Sequence, residues 1–170
     1  MKIAIAGSHG VGKTTFAKAL AKKLNFSYIH DIVREEAIPK GFVINENTPA
    51  EVQFWLVMRQ WELETITPGS WVADKCLIDY LIYAGGLEEE VFKEVIKRVV
   101  EGNARYDFIF YLPIEFSMEH DGKRSDDEEF QKKIDMLYKA YLEEHGMTFV
   151  VVSGAPEERV EQAVRYINQK

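Results

Sequence analysis

The sequence predicts an α/β fold in three layers, a five-stranded parallel sheet with helices on both faces. Three observations predict it. Five apolar runs of strand length are each followed by sequence with helical spacing, the pattern of a parallel sheet covered on both sides. The chain has 170 residues, the size of a single domain with a full core, and shows no internal repeat or low-complexity linker. The first strand joins the first helix through Gly7-Ser8-His9-Gly10-Val11-Gly12-Lys13-Thr14, which fits G-x-x-x-x-G-K-[ST] at every required position.

Lys2 to Ala6 is the first strand. The helix from Thr15 to Leu24 repeats Phe16, Ala17, Leu20, Ala21 and Leu24 at helical spacing. Between them the glycines let backbone N–H groups curl around phosphate oxygens, and the helix start near Lys13 adds its positive dipole end. Ser8, His9, Val11 and Thr15 belong to the same cradle. Lys13 is expected to reach the β- and γ-phosphates of a nucleotide such as ATP, and Thr14 to ligate Mg²⁺ through its hydroxyl.

Phe26 to Ile29 reads as the second strand, and Asp31-Ile32-Val33-Arg34-Glu35 leaves its carboxyl end. In an open α/β sheet groups there face the ligand crevice, so Asp31 and Arg34 are substrate candidates; the other reading is a solvated helix start capped by Asp31. Pro39 to Thr48 is a loop. The helix from Pro49 to about Ile66 is aromatic, with Gln53, Arg59 and Gln60 interrupting Phe54, Trp55, Leu56, Met58, Trp61 and Leu63. Amides beside rings suit a wall for a planar base, with Gln53 and Arg59 as substrate contacts, and core packing explains the rings equally well.

Trp71-Val72-Ala73 is the third strand and ends in Asp74, placed to orient Mg²⁺ or to cap the next helix. Leu77 to Ala84 is helical and stops at Gly85-Gly86, and Leu87 to Val100 is an amphipathic helix with a solvated charged face. Asp107 to Leu112 is the fourth strand, stopped by Pro113. The polar stretch around residues 118–128 carries Arg124 ahead of a helix from about Asp126 to His145. An arginine on a mobile cover can meet charge developing on a transferring phosphoryl group; the plainer reading is an exposed loop whose acids cap that helix. Met147 to Val152 is the fifth strand. The Ser153-Gly154-Ala155-Pro156 turn after it either lets Gly154 approach an adenine ring or simply connects strand to helix.

The 21 basic and 28 acidic residues leave a formal net charge of -7, a field that repels polyanions, so nucleic acid is not expected as a partner. A nucleotide escapes that objection because contact-range donors act inside a Debye length of about 8 Å. Cys76 stands alone and forms no internal disulfide, which agrees with a cytoplasmic protein. Neither a leader nor a run of ~18 apolar residues is found, so no membrane is expected. Composition does not address oligomeric state.

The chain lacks an Asn-Lys-x-Asp guanine reader and a Leu-Ser-Gly-Gly-Gln signature, and its third strand ends in Asp74-Lys75 where AAA-type motors usually have Asp-Glu. With those set aside, the sequence resembles the nucleoside and nucleotide kinase branch of the phosphate-loop (P-loop NTPase) fold. Within it the likeness is to the nicotinamide riboside kinase domain of NadR-type proteins and to deoxynucleoside and thymidylate kinases. Gly7 to Thr14, Asp31 to Ala37, Asp74 to Asp79, and Asp121 to Asp127 carry the resemblance. It implies transfer of the γ-phosphoryl group of ATP, with Mg²⁺, to a nucleoside- or nucleotide-like acceptor. Asp31 would take the acceptor proton or bind its ribose, Arg34 hold the acceptor, Gln53 read its base, Asp74 orient Mg²⁺ and Arg124 act from the lid. Lysine at 75 stands where relatives have arginine, and the lid has one arginine where many nucleotide kinases have more, which weakens the case for a monophosphate acceptor. A nucleotide-responsive module that hydrolyses slowly, with no acceptor, is the alternative.

Overall fold

The structure, a computed structural model, describes residues 1–45, 47–115 and 128–170. The strands are β1 (Lys2–Ala6), β2 (Ser27–Ile29), β3 (Trp71–Ala73), β4 (Phe108–Tyr111) and β5 (Val150–Val151). The helices are α1 (Lys13–Leu24), α2 (Ala50–Ile66), α3 (Leu77–Ala84), α4 (Glu90–Asn103), α5 (Glu128–Glu144) and α6 (Pro156–Asn168), with a π-helical turn at Val33–Ala37. All five strands are parallel, in the order β2-β3-β1-β4-β5.

The alternation within β1 divides the core. Ile3 and Ile5 pack with Phe16, Leu20, Phe110 and Val160 on the α1 and α6 side, whereas Ala4 and Ala6 meet Leu56, Ile78, Ile96 and Tyr138 from α2 to α5. A sheet buried on both faces needs apolar residues in both registers, so its strands read as continuous apolar runs. Alanines on the second face leave room for four helices to approach.

Element bounds move only at ends. β5 holds two paired residues of the expected six, because its sole neighbour β4 matches it only at Phe110↔Val150 and Tyr111↔Val151. α4 starts at Glu90 and not at Leu87, whose N–H closes a turn onto Ala84 O at 3.0 Å. Among the described residues no helix is long and apolar enough to cross a membrane. Arg124 and the expected lid fall, apart from residue 128, outside the described residues.

Candidate functional site

Strand order decides what can meet. β3 lies between β2 and β1, so the carboxyl ends of these strands deliver Asp31, Asp74 and the phosphate loop as neighbours, strands being about 4.8 Å apart. The loop turns through Gly7 (φ 137°), Gly10 (φ 78°) and Gly12 (φ 89°). At Gly7 a side chain is excluded outright, since a Cβ would stand 2.5 Å from Leu112 O. Lys13, nearly buried, folds its amine back over the loop, donating to Gly7 O at 2.7 Å and Ser8 O at 2.5 Å. Thr15 is exposed and Thr14 half-buried.

Asp74 does not cap α3; Asp79 does, accepting the Cys76 N–H at 2.8 Å. The Asp74 carboxylate instead accepts the Tyr28 hydroxyl at 2.9 Å and is hydrogen-bonded by Thr14. Burial first and the neighbouring Asp31 charge second push its pKa up, while Thr14, Tyr28 and Lys13 pull it back. Tyr28 is correspondingly held protonated, by burial and then by Asp74.

Asp31 opens the next turn and stands between two cations. Its Oδ1 accepts the Val33 N–H at 3.0 Å, opening the π-helical turn, and lies 3.6 Å from Lys75 Nζ; its Oδ2 is 3.9 Å from Arg34 Nε. Asp31 is 3% exposed and Arg34 sits at the rim with 44% of its side chain in solvent. Lys75 Nζ also lies over the rings of Tyr80 and Tyr83, at 5.8 and 5.6 Å.

Beside this cluster opens a cleft lined by His9, Gln53, Lys75, Tyr80, Tyr83 and Phe130, with Asn45 and Thr48 among its polar groups. Helical spacing puts Tyr80 and Tyr83 on one face of α3, and His9 ties Tyr83 to the loop by a 3.1 Å hydrogen bond. Gln53 is buried in the wall, and its Oε1 has no hydrogen-bond partner among the described residues; the same holds for the Tyr80 hydroxyl. The α2 helix sends Leu56 and Val57 into the core and Gln53 into the cavity wall, while its aromatic rings lie elsewhere.

Arg59 must be corrected. It points from another face of α2, where Glu36 takes its guanidinium at 2.8 and 3.0 Å and Glu62 at 2.7 Å, in a recess lined by Trp55, Met58 and Trp61 and not in the cavity of Gln53. Gly154 lies at the far side of the loop, its N–H donated to Glu115 at 3.0 Å. Tyr28, Tyr83, Phe130, Gln131 and Arg159 touch Asp74, the cleft or the loop, and sequence reasoning singled out none of them. Tyr83, three residues after Tyr80, was the one with a legible signal.

One buried acid stands beneath the site. Glu64 accepts from Gln60 Nε2 at 2.9 Å and from the Tyr106 hydroxyl at 2.9 Å, while Gln60 also donates to Lys75 O and Tyr106 accepts the Leu77 N–H. Burial drives the Glu64 pKa up to about 7 against the pull of these hydrogen bonds.

The sequence profile of a family described as an AAA domain matches residues 2–159. The chain belongs to that family, although its Asp74-Lys75 pair had set AAA-type motors aside in the sequence. For this AAA-domain protein the solved structures show which fold variant is present. It superposes on the NadR protein in complex with NR at a TM-score of 0.83 and 20% identity, covering 99% of this chain and 50% of that one. It superposes on the deoxyadenosine kinase from M. mycoides at 0.73 and 17%, covering 99% of each chain. These likenesses establish the fold and bear out the resemblance to phosphate-loop nucleoside and nucleotide kinases. A curated relative, the putative adenylate kinase of Pyrococcus abyssi (strain GE5 / Orsay), is 54% identical over 41 residues, which spans 24% of this chain and 22% of that relative.

Proposed function

We propose that this domain is a phosphotransferase that moves the γ-phosphoryl group of ATP to a hydroxyl of a small nucleoside-like acceptor. One observation carries the reading. Asp31, Asp74 and Lys13 converge where the phosphate loop meets the Gln53 cavity, so a donor tail and an acceptor have adjoining seats. The NadR structure is in complex with NR, and the deoxyadenosine kinase structure holds the products dCMP and dCDP, which supports an acceptor of the nucleoside class.

The residues divide the labour. The loop N–H groups and Lys13 would hold the β- and γ-phosphates, lowering the barrier mainly by placement and charge neutralisation. The described residues offer no group of three or more His, Cys, Asp or Glu able to hold a metal by themselves. Mg²⁺ needs no such cage, because it takes one or two carboxylates and fills its remaining positions with phosphates and water. The hydrogen-bonded Thr14 and Asp74 pair fits that donor set, and Mg²⁺ there would neutralise phosphate charge. Asp31 would accept the proton that the acceptor hydroxyl loses as its oxygen bonds to phosphorus. Gln53 Oε1 would take a donor from the acceptor's planar group, between the tyrosine rings and Phe130. Lys75 is the one cation among the described lining residues and already faces Asp31, which favours an uncharged acceptor over a monophosphate. Arg124 is assigned to the lid on the resemblance and on the reach of an arginine for phosphate.

The test is transfer from ATP with Mg²⁺ across a panel of nucleosides and nucleoside monophosphates. At least one nucleoside is expected to raise ATP consumption well above background and to outperform its own monophosphate. Hydrolysis indifferent to every acceptor would overturn the proposal in favour of a regulatory module.

A further inference from the structure

Two side chains outside the crevice, on helices far along the chain from the phosphate loop, each grip a main-chain carbonyl of that loop. Gln131 of α5 donates through Nε2 to His9 O at 2.6 Å, and Arg159 of α6 donates through Nη1 to Val11 O at 2.8 Å. Both are buried, at 3% and 4% exposed, although both residue types normally sit in solvent. Arg159 is itself anchored. Its Nη2 meets Glu115 Oε2 at 2.6 Å, and Glu115 in turn accepts the Gly154 N–H, joining the turn after β5 to the same bracket.

The two carbonyls belong to alternate peptide units, and the residue after each is a glycine at positive φ, Gly10 at 78° and Gly12 at 89°. A trans peptide is planar, with its carbonyl and the following N–H on opposite sides. Drawing the His9 carbonyl toward α5 therefore turns the Gly10 N–H away from α5, and drawing the Val11 carbonyl toward α6 does the same for Gly12. Glycine lets either peptide plane rotate with little steric resistance, so the loop's own sequence leaves these directions open. The Lys13 amine donates to two other carbonyls of the loop, those of Gly7 and Ser8.

We infer that Gln131 and Arg159 are positioning residues that aim the Gly10 and Gly12 N–H groups into the phosphate cradle, with Glu115 holding Arg159 in place. The inference rests on the reading of the loop as a phosphate site. A donor aimed beforehand binds an anion without the cost of reordering the backbone at that moment, and hydrogen bonds to charged acceptors are the stronger kind.

The experiment measures calorimetric binding of inorganic tripolyphosphate to the unmodified chain and to Gln131→Met, Arg159→Met and Val160→Ala, together with the Gly10 and Gly12 amide resonances of the ligand-free proteins. Gln131→Met and Arg159→Met are each expected to weaken binding about tenfold. The Gly10 resonance should move in the first and the Gly12 resonance in the second. Val160→Ala removes core packing on the same helix as Arg159 and should keep the affinity. If Arg159→Met does not fold, Arg159→Lys, which retains one donor and the charge facing Glu115, should bind at an intermediate level. Affinities within twofold of the unmodified chain in both loop-gripping variants, or an equal loss in Val160→Ala, would overturn the positioning role. An unmodified chain that binds neither tripolyphosphate nor ATP would remove the phosphate-loop reading itself, an outcome separate from the first.

Discussion

Two buried acidic regions flank β3, and their partners differ in kind. Above its carboxyl end, Asp31 and Asp74 face each other across a space shared with Lys13, Lys75 and Thr14, and the Asp31 charge adds to burial in raising the Asp74 pKa. Below it, Glu64 is enclosed by Tyr106 and Gln60, groups that complete its hydrogen bonding without adding charge. Burial alone therefore does not mark a functional carboxylate. On the proposed function, what marks one is a second acid and a cation that converge on it where a ligand can enter, because there its charge can act on something besides the fold.

Removing the loop cation of the upper region should have the largest effect. Lys13→Ala is expected to lower turnover on the order of a thousandfold, with the fold intact by circular dichroism, because one charge-stabilising donor to the transferring group is lost. Rates near those of the unmodified chain would erase the functional standing of this region. Asp31→Asn comes next, with a loss of roughly a hundredfold for a hydroxyl acceptor, measured as kcat in the same assay. An equal loss with a phosphate acceptor, whose oxygen arrives already ionised, would reduce Asp31 to a positioning role.

The lower region should answer in stability. The Glu64 pKa lies near 7 in the folded protein against 4.5 for an ordinary glutamate, so the folded state holds the proton more tightly. Its contribution is most favourable below pH 4.5 and is lost as pH rises through 7. Glu64→Gln, which keeps an acceptor for Tyr106 and Gln60, should gain up to roughly 3 kcal/mol at pH 8 and little at pH 4 in urea titrations. Turnover should stay close to that of the unmodified chain; a collapse like that of Asp31→Asn would mean the two regions are one. The smallest change is expected from Tyr106→Phe. It strips the Leu77 N–H of its acceptor and Glu64 of a donor, at about 1–2 kcal/mol of stability by the same titration.

The residues of the site were unequally legible. Gly7 to Thr14 could be read because a strand, a glycine loop and a helix are contiguous, and contiguous chain leaves few arrangements. Asp31 and Asp74 were legible as acids at strand ends. Arg59 misled because spacing along a helix gives angles about its axis but not which angle faces the cavity, and Glu36, from the turn after β2, drew it elsewhere. Gln131 and Arg159 were invisible, since nothing in a buried glutamine or arginine foretells which distant carbonyl it will meet.

By itself the sequence determined the α/β class, the strands and helices to within a few residues at their ends, and the phosphate loop. All of these rest on local periodicity and on backbone freedoms that a residue and its near neighbours possess on their own. The tertiary structure alone decided that β3 enters between β2 and β1, so that Asp74 stands beside Asp31, and that α5 and α6 reach the loop from outside. Those outcomes depend on how whole layers bury their apolar faces together, a balance to which every element contributes and which no short stretch of chain contains.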